Sequence, residues 1–231
     1  MSLEAVEACV IPQVTDRRPE PGKVYHAFAD MSGGRGDSAA LGIAHTEDGR
    51  AVLDLLVERK APFSPDDVVA EFADLLRGFG LATVTADAYA AEWVVERFRV
   101  NGIGFRKSER SRSEIYLNFL PLVNSRRVAL LDHPRLVHQL VGLKRRTTRG
   151  GRDSVDHATG HHDDVANAAA GAVGLCVLTR PAVFATFATY GNGGILPAGA
   201  PAELPLPAWA LSPETATAQA AVDAYLSRRP H

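Results

Sequence analysis

Apolar residues alternate with polar ones, or gather in short unbroken runs, through much of the first sixty positions. Segments 24–30, 39–45 and 51–59 are of this kind and rich in aliphatic and β-branched side chains. Gly33-Gly34 separates the first pair and Asp48-Gly49 the second, so the pattern predicts three adjacent antiparallel strands. The period then changes. Val68, Val69, Phe72, Leu75 and Leu76 follow helical spacing behind Ser64-Pro65, a capping residue followed by a proline suited to a first turn. A fourth strand is expected over 81–86. Helices are expected over about 90–100, 113–124 and 133–143, with a short strand at 127–131. The helix at 90–100 should bury Trp93, Val94 and Phe98 on one face. Segment 162–178 is alanine-rich, and small side chains let such a helix lie close against a sheet.

These elements make an α/β domain: a mixed sheet with antiparallel first three strands, flanked by helices. The order β-β-β-α-β-α is that of an RNase H-like core. Residues 1–22 are polar and proline-bearing and are expected as an N-terminal linker. The domain itself is expected over 23–180. A Pro/Gly/Ala-rich tail follows over 181–231, in which a short amphipathic helix near 214–226 would form against a partner.

Composition adds little until it is resolved along the chain. At 46% hydrophobic and 23% charged it is that of a soluble globular protein, and no run of 18 apolar residues suggests a membrane span. The first residues lack a secretory signal. Cys9 and Cys176 have neither metal-ligand nor redox spacing, so a reducing, cytoplasmic setting without disulfides is expected. The net charge of −2 conceals an asymmetry: residues 97–152 hold fourteen Lys/Arg against Glu109, Glu114 and Asp132 alone. So one-sided a stretch points to a polyanionic partner.

Candidate chemistry stands at element ends. Asp30 closes the first strand and Asp87 the fourth, while Asp163-Asp164 opens the last helix. In this topology the first and fourth strands are neighbours and the last helix starts beside their ends, so carboxylates distant in sequence should converge. Crowded aspartates repel unless cations bind them, and oxygen ligands favour hard divalent ions. Singly, each has a blander explanation: Asp30 could start a turn, and Asp163 or Asp164 could cap a helix. The ordered set is harder to explain away.

The segments DMSGGRGDS, TADAYAAEW and GHHDDVANA, with KSERSRSEIYLNFLPLVNSRRVALLDHPRLVHQLVGL between the last two, resemble the nuclease domain of phage terminase large subunits over roughly residues 25–178. The resemblance implies a two-metal DNA endonuclease using Mg²⁺ or Mn²⁺, with little sequence preference, in a phage or prophage packaging machine inside a bacterial host. Asp30 would bridge both ions and Asp87 would bind one. The Asp163-Asp164 pair would supply the third carboxylate. Asp164 is favoured there because a His-x-x-Asp arrangement, here from His161, recurs in related nucleases. His161 and His162 would orient water or phosphate, or simply face solvent.

Lys107, Arg110, Arg112, Lys144, Arg145, Arg146 and Arg149 would hold the double-stranded DNA backbone, the latter group from an exposed loop or hairpin. A motor ATPase domain, a small terminase and a portal are the implied partners. No G-x-x-x-x-G-K-[ST] loop is present, so ATP hydrolysis is not expected of this chain. Alternatives are a Holliday-junction resolvase- or transposase-like nuclease, or a catalytically silent DNA-binding module. Arg35-Gly36-Asp37 is taken as a coincidental adhesion tripeptide.

Overall fold

The computed structural model describes residues 1–87, 92–147, 153–156, 162–178, 220 and 222–227. Its centre is a six-stranded mixed sheet in the order β5-β4-β1-β2-β3-β6. β1 (Tyr25–Asp30), β2 (Ala39–Glu47) and β3 (Arg50–Arg59) form the expected antiparallel meander. β4 (Thr83–Ala86) lies parallel to β1, and β5 (Gly104–Lys107) parallel to β4. β6 (Val128–Ala129) closes the far edge, parallel to β3.

Strand alternation divides the core in two. Ala27, Ala29, Leu41, Ile43 and Leu55 face α2 (Pro65–Gly78) and α3 (Glu92–Val100). Phe28, Ala40, Ala44 and Leu53 face α4 (Arg112–Asn124), α5 (Pro134–Gly142) and α6 (Asp164–Leu178). α2 starts as its sequence dictates, with the Ser64 hydroxyl accepting from the Asp67 amide and Pro65 in the first turn.

α6 lies across the middle of the sheet because its side chains are small. Opposite it Gly42 leaves room: a Cβ there would stand 2.5 Å from the Ala168 carbonyl oxygen. At the β1–β4 end the same helix carries Gly171 against the Phe28 ring, where a Cβ would fall 2.3 Å from the ring carbon. Close approach of backbone to sheet therefore sets where the N-terminal turn of α6 points.

Three features differ from the sequence-based expectation. Trp93 is 37% exposed, whereas Val94 and Phe98, spaced i and i+4, alone face the core. β5 was not anticipated, since Gly-Phe-Arg-Lys has little apolar signal and gains its place as an edge strand beside β4. The segment expected as a linker carries α1 (Leu3–Glu7), with Val6 and Cys9 buried in the α4–α5 side of the core and Val10 bridged to Leu130.

A further hairpin, β7 (Lys144–Thr147) with β8 (Asp153–Asp156), stands apart from the main sheet. Of the tail, residues 222–227 are helical. Val222 is buried in the α2–α3 side of the core and the Arg59 guanidinium lies 5.4 Å from the Tyr225 ring centre. Among the described residues no helix is long and apolar enough to cross a membrane.

Candidate functional site

The parallel pairing of β1 with β4 brings Asp30 and Asp87 to the same end of the sheet. Ala29 stands opposite Ala86, so the aspartates occupy successive edge positions of neighbouring strands. α6 begins above that end. Its first helical bond runs from the Asn167 amide to the Asp163 carbonyl at 2.7 Å. The Ala166 amide is satisfied by the buried Gln139 side chain of α5 at 2.9 Å. Asp163 and Asp164 therefore sit at a fixed helix N-terminus, where partial positive charge favours carboxylates.

Asp30, Asp163 and Asp164 are all buried, and Asp87 nearly so. One guanidinium gathers three of the four. Arg112 reaches Asp163 at 3.0 Å, Asp87 at 3.7 Å and Asp30 at 3.8 Å. Its direction is set by a capping box at the start of α4, in which Ser111 and Glu114 satisfy each other's backbone amides. One turn along the same helix, the Tyr116 hydroxyl donates to Asp163 Oδ2 at 2.8 Å. Asp30 Oδ2 accepts from the Asn167 side-chain amide at 2.8 Å.

Asp163 and Asp164 are thus held differently. Both oxygens of Asp163 are engaged, one by Arg112 and the other by Tyr116. Asp164 Oδ2 is buried with no hydrogen-bond donor among the described residues. Such an atom is costly to bury unless something completes its coordination.

Electrostatics agree with the geometry. Burial pushes the Asp30 carboxyl up to about 7, against the pull of Arg112 and the Asn167 amide. Asp164 is also raised, by burial first and then by Asp163 and Asp37. Tyr116 is held well above its ordinary range by burial and by Asp163, so it remains a donor. The set is short of positive charge even with Arg112 in its midst.

Among the described residues no three His, Cys, Asp or Glu side chains are gathered as a ready cage for a metal ion. The donor chemistry nonetheless suits a hard divalent cation: all-oxygen, crowded, desolvated, with one buried oxygen lacking a donor. A cation entering here would meet Arg112 as its competitor.

The remaining candidates divide. His162 is exposed, with Nδ1 3.2 Å from Asp37 Oδ1, which gives the Arg35-Gly36-Asp37 tripeptide a local partner. His161 and Arg149 lie outside the described residues. Lys107 is exposed on β5 and Arg110 partly so, while Lys144, Arg145 and Arg146 are exposed on β7. Arg145 pairs with Asp153 across that hairpin. Nothing in the sequence by itself marks Asn167 or Tyr116 as part of the site. Arg112 and Tyr116 do share an i, i+4 face, but nothing marks that face as pointing at Asp163 until the fold is built.

No protein-family model and no curated protein matches the sequence. Solved structures do. The large terminase nuclease of thermophilic phage G20c superposes with a TM-score of 0.63 at 18% identity, over 74% of this chain and 95% of that one. The nuclease domain of the large terminase of Thermus phage P74-26 gives 0.60 at 18% identity, over 74% and 92%. The HK97 bacteriophage large terminase gives 0.59 at 18%, with 74% of this chain matching only 43% of that longer protein. The G20c nuclease has also been solved with magnesium, cobalt and zinc bound. At such identities the likeness establishes the fold, which is that of the large terminase nucleases.

Proposed function

We propose that the chain is a divalent-metal-dependent DNA endonuclease serving as the nuclease part of a phage or prophage packaging terminase. The observation that carries this reading is the convergence of Asp30, Asp87, Asp163 and Asp164 from two strands and a helix onto one sheet end. The fold shared with the large terminase nucleases supports it.

Asp30, Asp87 and Asp164 would hold two Mg²⁺ or Mn²⁺ ions. When bound, such ions neutralise phosphate charge and make water a competent nucleophile at neutral pH. The chain's own residues do the rest. Asn167 fixes the Asp30 carboxylate in orientation, and Tyr116 with Arg112 fixes Asp163, so the helix N-terminus keeps its aim. Arg112 balances negative charge at the centre before a cation arrives. Lys107 on β5, Arg110 between β5 and α4, and Lys144, Arg145 and Arg146 on β7 hold the DNA backbone, joined by Arg149. These contacts give affinity without sequence readout. A motor ATPase, a small terminase and a portal are the partners this role requires.

The test is cleavage of supercoiled plasmid by the full chain with Mg²⁺, Mn²⁺ or excess chelator. Nicking or linearisation with either ion and none in chelator is the expected result. Activity that survives chelation contradicts the metal mechanism. A strong preference for four-way junctions over linear duplex would instead assign a resolvase. One observation favours a second reading, a DNA-binding module with a silent centre: the Arg112 guanidinium already stands among the carboxylates. On that reading DNA is bound but never cut.

A further inference from the structure

Behind the acidic row lies a cavity of about 250 Å³ between the β4–β5 edge, α4 and α6. Register ties the two together. Phe28 precedes Asp30 by two residues on β1, and Thr85 precedes Asp87 by two, and both line the cavity. On the helices Ile115 follows Arg112 by one turn and Gly171 follows Asn167 by one turn. The cavity is therefore one side-chain row from the carboxylates, about 6–7 Å along each strand.

Its two parts differ in chemistry. Phe28, Ile115, Leu175 and the bare backbone at Gly171 and Gly174 make an apolar floor. Arg106, Lys107 and Arg110 stand at its rim, with Glu109 the single acid among its lining residues. None of the three cations forms an ion pair with a described carboxylate. At its size the cavity falls below the ~300–1,000 Å³ of sites for larger ligands, which suits one small flat group carrying an anion. Asn118 lies at its wall; its Nδ2 already donates to the Glu114 carbonyl at 2.7 Å, which leaves its second N–H and its oxygen for a ligand.

We infer that this cavity is a nucleotide subsite that takes one unpaired nucleotide of a DNA strand lying across the acidic row, its base on the apolar floor and its phosphate at the Arg106–Lys107–Arg110 rim. The inference rests on the nuclease reading and adds to it. Lodging one nucleotide there requires that it leave the stack, which costs least where the strand is already unpaired. A strand so anchored would carry its neighbouring phosphate onto the carboxylates, so the subsite would set which phosphodiester is presented. Free mononucleotide shares the same chemistry, and the strand is distinguished from it below.

Gly174 supplies a clean probe, because a Cβ there meets nothing within 4 Å and the residue is helical. Gly174→Leu should fill the cavity and leave the helix intact. The 231-residue chain in chelator is titrated with 2′-deoxyadenosine 5′-monophosphate, with deoxyadenosine and with inorganic phosphate, followed by NMR. The nucleotide should bind more tightly than either fragment, and Gly174→Leu should weaken it by roughly tenfold or more. A single-stranded oligonucleotide should lose affinity in the variant far more than a fully paired duplex of the same length.

Nucleotide binding no tighter than phosphate, or unchanged in folded Gly174→Leu, overturns the subsite. Loss confined to free nucleotide, with the single strand unaffected, overturns its role toward DNA. Should Gly174→Leu melt early, Arg106→Glu at the exposed rim, a residue with no part in holding the duplex, gives the same readout. Because no divalent ion is present, these results stand apart from plasmid cleavage: a chain that cuts DNA but fails here loses only the subsite.

Discussion

Asp30 is the residue on which stability and chemistry oppose each other. Its carboxyl titrates near 7 in the folded chain, against 3.8 for an ordinary aspartate. The folded protein thus keeps a proton that the unfolded chain releases. The stability this confers is full below about pH 4 and is lost as pH rises through about 7. Asp164, raised by the same burial and by Asp163, adds to the same slope. Metal-free protein should therefore melt at lower temperature at pH 8 than at pH 5. Asp30→Asn should flatten that dependence and stabilise the chain at pH 8 by on the order of a few kcal/mol. Thermal melts across pH, without divalent ions, check this; an unchanged slope would mean that Asp30 ionises freely. Arg112 gives the complementary case. Arg112→Gln leaves three carboxylates with less compensation, so it should lower metal-free stability while enlarging the rise in melting temperature produced by Mn²⁺. An equal Mn²⁺ effect in both proteins would show that the guanidinium and the cation do not compete. The aspartates themselves could be read from the sequence because each ends an element. Their polar support could not, since Asn167, Tyr116 and Gln139 acquire meaning only when α4, α5 and α6 meet.

Among the elements, α6 carries the most consequence. It delivers Asp163, Asp164 and Asn167, and its depth is set where Gly42 meets the Ala168 backbone. Gly42→Ala drives a Cβ into a carbonyl oxygen rather than into a flexible side chain, so the helix must shift. A loss of about 1–3 kcal/mol is expected, together with a fall in cleavage larger than that loss of folded protein explains. Denaturant unfolding and cleavage rate on the same preparation measure the two. Full activity in a destabilised variant would show that helix position and site are independent. The alanine run and the capping signals made α6 and α2 readable in advance. β5 and α1 were hidden for a physical reason: a four-residue edge strand and a five-residue helix take their stability from what they pack against. Trp93 failed for a related reason, since neighbouring positions on a helix point about 100° apart and only the Val94–Phe98 stripe is covered.

Across the whole molecule the charge asymmetry takes spatial form. Lys107 on β5 and Lys144, Arg145 and Arg146 on β7 are exposed cations, while Arg112 at the start of α4 is drawn in among the carboxylates, although the net charge is only −2. Neutralising Arg145 and Arg146 together should weaken DNA binding and reduce the slope of log affinity against log salt by about 1–2. The lower bound allows for Arg145, whose charge is partly balanced by Asp153. Filter binding or fluorescence anisotropy over a salt series measures this, and an unchanged slope would move the DNA surface elsewhere. The central claim is that the carboxylate row is a phosphodiester-cleaving centre, and one substitution isolates it. Wild-type chain and Asp30→Asn are compared for plasmid cleavage in Mn²⁺ and, on the same preparations, for DNA affinity. Cleavage by the wild type that vanishes in the variant, at equal affinity, is the predicted result. Equal cleavage by both proteins would contradict the account.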